Sequence, residues 1–176
     1  MTEPLGNAIV VMGVSGSGKT TVADSLARRL GWAFAEGDQM HPAANVEKMR
    51  KGIPLDDADR APWLDRIGQE LKNWSRDARS GVMTCSALKR AYRDRIRAAR
   101  PDVRFVYLKG SEAMIRSRVA TRHHEYMPAS LLHSQFEALE EPGPDESILT
   151  VNAGDSPEAQ IMEIVAGLDL AGGEQA

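Results

Sequence analysis

The sequence predicts an α/β fold built on a parallel sheet, and three features of the chain support this prediction. Strand-like apolar runs alternate with helical patterns, which is typical of βαβ units. A glycine-rich loop joins the first of these runs to the first helical pattern. The chain has 176 residues, of which 42% are hydrophobic, and no long linker divides it. We therefore expect a single domain over residues 1–176, with its core between about residues 8 and 170.

Five short apolar runs are predicted to be the strands of the sheet. They comprise residues 8–12, 33–36, 81–85, 104–108 and 148–151. Helical patterns begin near Lys19 and recur over residues 92–100, 111–121, 129–139 and 156–168. A further helix is predicted to start at Pro62, because apolar side chains from Trp63 to Trp74 recur on one helical face. We interpret the tryptophans of this helix as core residues.

The loop after the first apolar run has the sequence of a phosphate-binding loop. It reads GVSGSGKT and matches the pattern G-x-x-x-x-G-K-[ST]. Its residues are Gly13, Val14, Ser15, Gly16, Ser17, Gly18, Lys19 and Thr20. The glycines permit backbone angles that turn successive amides toward an anion, and the following helix adds the positive end of its dipole. The loop therefore predicts a nucleoside triphosphate site, in which Lys19 reaches the β- and γ-phosphates and Thr20 binds Mg²⁺.

Composition argues against several classes of partner and location. The net charge of -3 gives no electrostatic support for binding to nucleic acid or to an anionic membrane, because both need a basic surface. Arginines are concentrated between Arg90 and Arg122, and we interpret most of them as solvated helix faces, with a local anion-binding surface as the alternative. The single Cys85 excludes an internal disulfide, and no apolar stretch approaches the roughly 20 residues that cross a bilayer. Residues 1–7 lack the basic and apolar regions of a signal peptide, so we expect a cytoplasmic protein.

Carboxylates follow the second predicted strand, at the edge where open parallel sheets bind their ligands. The segment begins with Glu36, Gly37 and Asp38. A carboxylate here would face the phosphate loop and accept a proton from an attacking hydroxyl, or hold that hydroxyl in line with the γ-phosphate. The alternative for Asp38 is a turn former or helix cap. Farther along, we interpret Asp56 and Asp57 as a solvated loop that starts a helix.

The third predicted strand ends in hydroxyl and cationic residues. The segment from Thr84 to Arg90 lacks the aspartate that usually binds Mg²⁺ at the end of this strand. Metal binding is then expected to depend on Thr20, the nucleotide oxygens, water, and Glu36 or Asp38. We interpret Cys85 as a small buried residue.

Several separate motifs carry a more specific signal than the phosphate loop alone. They are Gly37-Asp38 with His41-Pro42, Lys48-Met49, Gly52 with Pro54-Leu55, Asp59-Arg60 with Pro62-Trp63-Leu64, Cys85-Ser86-Ala87-Leu88-Lys89 with Tyr92-Arg93-Asp94, and Leu131-Leu132 with Ser134-Gln135-Phe136 and Leu139-Glu140. Together with the phosphate loop, these motifs resemble those of gluconate kinases in residues and in spacing, from about residue 8 to about residue 143. Glu36 and Glu125 depart from the commoner residues of that family, aspartate and histidine respectively.

The resemblance implies a three-layer P-loop NTPase fold in which helices flank a five-stranded parallel sheet and a lid segment covers the nucleotide. It also implies transfer of the γ-phosphoryl group of ATP to the terminal hydroxyl of D-gluconate, a requirement for Mg²⁺, and a homodimer. On this chain it places Lys19 and Thr20 on phosphate and metal, and Asp38 on the acceptor hydroxyl. The implied contacts to the sugar acid are His41, Lys48, Arg60 and Lys89, and a carboxylate substrate suits such a cationic set.

The lid implied by the resemblance lies at about residues 118–130. Arg118 would contact ATP and Arg122 the transferring phosphate, where arginines spread charge and a closed lid excludes water. Two other hypotheses remain open at this stage. One keeps phosphoryl transfer but changes the acceptor to another sugar acid, shikimate or a nucleotide. The other is an ATP-dependent switch or a nucleic-acid-associated ATPase, against which the acidic composition argues.

Overall fold

Five parallel strands form one sheet in the spatial order β2-β3-β1-β4-β5. The computed structural model of the chain describes residues 5–121 and 129–170. The strands are β1 (Ala8–Met12), β2 (Ala33–Glu36), β3 (Gly81–Thr84), β4 (Arg104–Lys109) and β5 (Leu149–Asn152). The predicted five-stranded parallel sheet is confirmed, and each predicted strand is present with ends that shift by at most one residue.

The register brings the carboxyl ends of the strands to one edge of the sheet. Central strand β1 pairs with β3 on one side, Val11 opposite Thr84, and with β4 on the other, Met12 opposite Tyr107. Glu36 at the end of β2 lies opposite Thr84 at the end of β3. Since parallel strands all point the same way, the phosphate loop after β1 and the segments after β2 and β3 meet at this edge.

Helices cover both faces of the sheet, which gives the predicted three layers. They are α1 (Lys19–Leu30), α2 (Ala43–Arg50), α3 (Asp57–Arg76), α4 (Arg90–Ala99), α5 (Glu112–Thr121), α6 (Ala129–Ala138) and α7 (Pro157–Gly167). Side chains of α1 and α7 pack with Ile9 and Val11 of β1 on one face. Side chains of α3 and α4 pack with Val10 and Met12 on the other. Alternate residues of β1 thus enter two cores, as expected for a strand buried on both faces.

The structure corrects the predicted start of α3. This helix begins at Asp57, so Pro62 lies inside it. The start is earlier because Asp56 and Asp59 form a capping box: the Asp59 amide donates to Asp56 Oδ1 at 2.7 Å, and the Asp56 amide donates to Asp59 Oδ2 at 3.0 Å. The expected helix-starting role of the acidic segment is therefore confirmed, whereas the start at Pro62 is wrong. Helix α2, only eight residues long, was not predicted.

A buried ion pair fixes the loop that follows β3. Arg93 of α4 and Glu146 both have fully buried side chains, and Arg93 Nε donates to Glu146 Oε1 at 2.8 Å. Arg93 Nη1 also donates to the carbonyl oxygens of Ala87 at 2.9 Å and Leu88 at 3.3 Å. Because these carbonyls belong to the segment beside the phosphate loop, the pair holds one wall of the ligand edge in place. None of the described helices combines the length and apolar character needed to cross a lipid bilayer.

Candidate active site

The phosphate loop leaves β1 and enters α1 in a shape that only glycine adopts readily. Gly13, Gly16 and Gly18 have φ values of 146°, 81° and 97°, in the region where side chains are strained. A Cβ at Gly16 would also lie 2.5 Å from Val119 Cγ2 of α5. Gly18 is the N-cap of α1 and offers no side-chain cap, so the first amides of this helix are available to an anion.

Lys19 is buried at the base of the loop. Its ammonium group donates to the carbonyl oxygen of Val14 at 3.0 Å. Burial lowers the pKa of Lys19, while the nearby carboxylates of Asp38 and Glu36 act to raise it. The lysine is therefore placed between the loop and two carboxylates, and a phosphate at this point would stabilise the charged form that burial disfavours.

Glu36 joins the phosphate loop to the ends of β2 and β3. The Thr20 hydroxyl donates to Glu36 Oε2 at 2.6 Å, and the Thr84 hydroxyl donates to Glu36 Oε1. The Gly37 amide in turn donates to Thr84 Oγ1 at 3.0 Å. A hydroxyl thus stands at the end of β3 where the aspartate is missing, and the carboxylate comes from the neighbouring strand. Hard oxygen ligands of this kind suit Mg²⁺, which binds through one or two carboxylates together with substrate phosphates.

Asp38 lies in a short 3₁₀ turn, Gly37–Met40, directly after β2. Two contacts fix this turn. Gly37 approaches β3 so closely that a Cβ on it would lie 1.9 Å from the Thr84 carbonyl oxygen, and the indole nitrogen of Trp63 donates to the Gly37 carbonyl at 2.8 Å. The Asp38 carboxylate is exposed and lines the same cavity as Lys19 and Thr20.

His41 is a neutral group in this site. Its ring stacks on the Trp63 indole with centroids 4.2 Å apart. Burial, with a contribution from the positive charge of Arg60, lowers the pKa of His41 to about 4. The Asn45 amide nitrogen lies 3.2 Å from His41 Nδ1, and because that amide donates, the ring proton belongs on Nε2. This corrects the expectation that His41 belongs to a cationic set.

Lys48 and Lys89 both pair with aspartates of the α3 amino-terminal turn. Lys48 Nζ lies 2.8 Å from Asp59 Oδ1, and Lys89 Nζ lies 2.9 Å from Asp57 Oδ1. Neither lysine lines the cavity that holds Asp38. Their aspartate partners raise the pKa of each lysine, chiefly through these hydrogen bonds.

Arg60 differs from both lysines because it faces the cavity. Its Nη1 donates to the Tyr92 hydroxyl at 2.9 Å, and Tyr92 in turn donates to Asp57. The Arg60 guanidinium carbon also lies 5.5 Å from the centre of the Tyr92 ring. Among the residues expected to contact the sugar acid, Asp38, His41 and Arg60 are brought together in the cavity.

The cavity has a volume of about 590 Å³ and extends from the phosphate loop to α2 and α6. Sequence reasoning missed several residues that line it, namely Val46, Met49, Ile53, Leu55 and Gln135. The apolar ones belong to α2 and to the segment that follows it. Gln135 of α6 accepts a hydrogen bond from the Ser15 amide of the phosphate loop at 2.7 Å. The Leu-Leu-x-Ser-Gln-Phe motif was the available signal for Gln135, although nothing in it indicates this contact.

Arg118 of α5 spans the phosphate loop and the turn after β5. Its Nη2 donates to the Ala153 carbonyl oxygen at 2.8 Å, and it lines the cavity together with Gly18. The second arginine of the expected lid, Arg122, lies outside the described residues, as does the greater part of the expected lid, residues 122–128.

Comparison with known proteins gives consistent matches over most of the chain. Residues 9–142 match the family model described as an AAA domain. The gluconokinase of Gluconobacter oxydans is 48% identical over 157 residues, which cover 89% of this chain and 88% of that protein. The thermosensitive gluconokinase of Escherichia coli is 45% identical over 80% of this chain and 75% of that protein.

Solved structures show the same architecture. A crystal structure of a gluconokinase from Sinorhizobium meliloti has a TM-score of 0.85 and 43% identity, and the match covers 96% of this chain and 95% of that one. An unliganded sugar kinase from Janibacter sp. has a TM-score of 0.90 and 43% identity, with 94% and 96% covered. A shikimate kinase from Aquifex aeolicus, 16% identical with a TM-score of 0.61, shares the fold.

Proposed function

The chain belongs to the gluconokinase family, and we propose that it transfers the γ-phosphoryl group of ATP to D-gluconate, giving 6-phospho-D-gluconate and ADP. The observation that carries this proposal is the position of Asp38, which opens into the same cavity as Lys19, Thr20 and Arg60. The cavity therefore combines a phosphate cradle, a carboxylate for an attacking hydroxyl and a guanidinium for an anionic acceptor.

ATP binds, in this proposal, with its phosphates on the loop from Gly13 to Thr20. The amides at the start of α1 and the Lys19 ammonium group face the phosphates. Arg118 contacts the nucleotide in this proposal, because it lines the cavity beside the phosphate loop and is held there by its hydrogen bond to the Ala153 carbonyl oxygen after β5. Arg122 is proposed to reach the transferring phosphate when residues 118–130 close as a lid.

Mg²⁺ is proposed to be held by Thr20, with Glu36 as the nearby carboxylate. The two side chains are already joined by a 2.6 Å hydrogen bond, and both offer the hard oxygen atoms that this ion prefers. When bound, the ion neutralises charge on the β- and γ-phosphates. Glu36 also accepts from Thr84, which holds its carboxylate toward the loop.

Asp38 positions the terminal hydroxyl of the acceptor and accepts its proton. The hydroxyl oxygen forms a bond to the γ-phosphorus while the bond between that phosphorus and the bridging oxygen of ADP breaks. The buried Lys19 stabilises the charge that develops on the phosphoryl oxygens. The exposed position of Asp38 in the cavity leaves its carboxylate accessible to the hydroxyl.

Arg60 is proposed as the main contact to the carboxylate of the sugar acid. It is a guanidinium that lines the cavity, and its planar fork suits a carboxylate. Neutral His41 offers Nε2–H to a hydroxyl of the acceptor. Contacts from Lys48 and Lys89 to gluconate would require both lysines to leave Asp59 and Asp57.

A coupled assay of ADP release tests this function. The purified chain with Mg²⁺ and ATP should release ADP in the presence of D-gluconate. It should release far less ADP with other sugar acids, shikimate or nucleotides, because an acceptor of the wrong shape leaves buried polar groups unpaired. Identification of 6-phosphogluconate as the product completes the test. Absence of gluconate-dependent turnover from folded protein would reject the proposal, as would equal ATP hydrolysis without an acceptor.

We also propose that residues 1–176 act as a single domain, as a homodimer and in the cytoplasm. Support for the dimer comes from the family resemblance, and support for the location comes from the composition. Light scattering after size-exclusion chromatography measures the assembly directly: a dimer has twice the chain mass of 19.2 kDa. A mass of one chain at the concentrations used for activity would reject the dimer.

A further inference from the structure

Gln135 accepts a hydrogen bond from an amide of the phosphate loop. The amide of Ser15 belongs to the loop expected to cradle the phosphates, and its hydrogen bond goes to Gln135 Oε1 at 2.7 Å. The identity of the atom follows from chemistry, because an amide N–H must face the carboxamide oxygen and not its nitrogen. A neutral oxygen of the protein therefore contacts an amide of the loop that is expected to bind phosphate.

Lys19 makes a similar contact within the loop. Its ammonium group donates to the Val14 carbonyl oxygen, so two donors that would serve a triphosphate both have acceptors of the protein itself. The Val14 carbonyl belongs to the loop, whereas Gln135 is 120 residues away on α6. The Gln135 contact therefore joins the phosphate loop to a distant helix.

Helix α6 is well placed to respond to this contact. Leu131 and Leu132 anchor it in the apolar core, at 4% and 1% exposure, while Gln135 is half-buried and lines the cavity. The helix begins at Ala129, directly after the expected lid. Gln135 therefore lies on the part of α6 that faces the expected phosphate site.

A phosphate that binds the Ser15 amide must displace the Gln135 oxygen from it. Two oxygens competing for one N–H repel each other, but rotation about the terminal side-chain bond exchanges the carboxamide oxygen for its NH₂ group. The amide of Ser15 then binds phosphate, and Gln135 donates to the same phosphate group.

We propose that Gln135 is a positioning residue for the terminal phosphoryl group of the bound nucleotide: its carboxamide accepts from the Ser15 amide and, when a nucleoside triphosphate is bound, turns to donate to the phosphate. The proposal rests on the proposed function for the identity of the reaction, but the contact itself requires only a nucleoside triphosphate. It links loading of the phosphate loop to the position of α6 through one side chain.

Two variants distinguish this role from one in which Gln135 only holds the phosphate loop to α6. Gln135→Ala removes both the acceptor for the Ser15 amide and the donor to phosphate. Because the two losses oppose each other, the affinity for a non-hydrolysable ATP analogue should change less than about threefold. The kcat with gluconate should fall about 10- to 100-fold, the range for a hydrogen bond to a charged group. Gln135→Glu keeps the length of the side chain and can still accept from Ser15, but it cannot donate. Because the carboxylate repels the phosphates, the analogue should bind at least about tenfold more weakly.

Calorimetric titration of the full chain with the analogue, beside steady-state kinetics with gluconate, measures both quantities. Glu137→Ala, an exposed position on the same helix, is the matched control and should resemble the wild type. If Gln135 only holds the phosphate loop to α6, Gln135→Ala should lose affinity for the analogue together with turnover. Such a loss of affinity, or a wild-type kcat in Gln135→Ala, would overturn the proposal. Because the titration contains no acceptor, it judges Gln135 even where the wild type fails to phosphorylate gluconate.

Discussion

Two carboxylates two residues apart have different surroundings, which argues for different roles. Glu36 accepts hydrogen bonds from the hydroxyls of Thr20 and Thr84, whereas Asp38 is exposed in the cavity. A carboxylate already engaged by two hydroxyls is suited to hold a metal site together. A carboxylate open to the cavity is suited to meet an incoming hydroxyl.

Replacement of Asp38 by asparagine tests the second role. Asp38→Asn keeps the size of the side chain but removes the proton acceptor, so kcat with gluconate should fall about 100- to 10,000-fold. The dissociation constant for ATP should change little, because Asp38 is not assigned to the phosphates. Steady-state kinetics and nucleotide titration measure the two effects. Loss of ATP affinity with normal turnover at saturation would instead place Asp38 in the metal site.

Arg60 carries a second prediction at the scale of single residues. Arg60→Met keeps an extended apolar side chain and removes the guanidinium, so the KM for gluconate should rise about 10- to 100-fold, the value of a hydrogen bond to a charged group. The KM for ATP should stay near the wild-type value. Arg76→Met, at the exposed end of the same helix, is the control and should leave both constants unchanged. An unchanged KM for gluconate in Arg60→Met would contradict the assignment.

At the scale of elements, the pair of Arg93 and Glu146 connects α4 to the segment before β5. Hydrogen bonds from Arg93 lower the pKa of Glu146 to about 2 from 4.5. Between these two values the unfolded chain binds a proton at this group that the folded chain does not. Stability from the pair is therefore complete above about pH 4.5 and is lost as the pH falls toward 2.

Urea unfolding at several pH values tests this linkage. The pair should account for a loss of about 3 kcal/mol in the free energy of unfolding on acidification, because a tenfold difference in proton affinity between the folded and unfolded chains corresponds to about 1.4 kcal/mol. Glu146→Gln should lack this part of the pH dependence, and at pH 7 it should be less stable by about 3–5 kcal/mol, because Arg93 stays buried without its counter-charge. Glu163→Gln on the exposed side of α7 should keep the wild-type profile. A Glu146→Gln profile parallel to wild type would contradict the assignment.

At the scale of the whole molecule, two apolar clusters share the strands between them. Leu26 of α1 lies in one cluster and Leu71 of α3 in the other, and both are fully buried. Strands β1, β3 and β4 contribute residues to both clusters. Because both layers of helices pack on the same strands, loss of one layer also disturbs the strands that support the other layer. This arrangement supports a single cooperative domain.

Calorimetry tests this cooperativity. We expect one unfolding transition with equal calorimetric and van't Hoff enthalpies. Leu26→Ala and Leu71→Ala form a matched pair, one from each cluster, and each should lower the free energy of unfolding by about 2–5 kcal/mol while keeping one transition. Two separate transitions in either variant would show that the layers unfold independently and would contradict the single domain.

Much of the fold was predictable because its signals are local. The strand runs, the glycine-rich turn and the amphipathic faces each lie within a few residues, and they predicted the strands and most helices correctly. Helix α2 was missed because its eight residues are too short for a clear period. The start of α3 was misplaced because Pro62 and the capping aspartates both signal a helix start, and Asp56 makes the hydrogen bonds that decide it.

The sequence by itself determined the phosphate loop, the parallel sheet and the family, since each depends on residues close together in the chain or on the spacing of motifs. Only the tertiary structure decided which charges face the cavity. Lys48 and Lys89 pair with aspartates of α3, His41 is half-buried and neutral against Trp63, and Gln135 reaches Ser15 across 120 residues. The physical reason is that hydrogen bonds and charge depend on distance in space and on burial, and folding alone brings these side chains together.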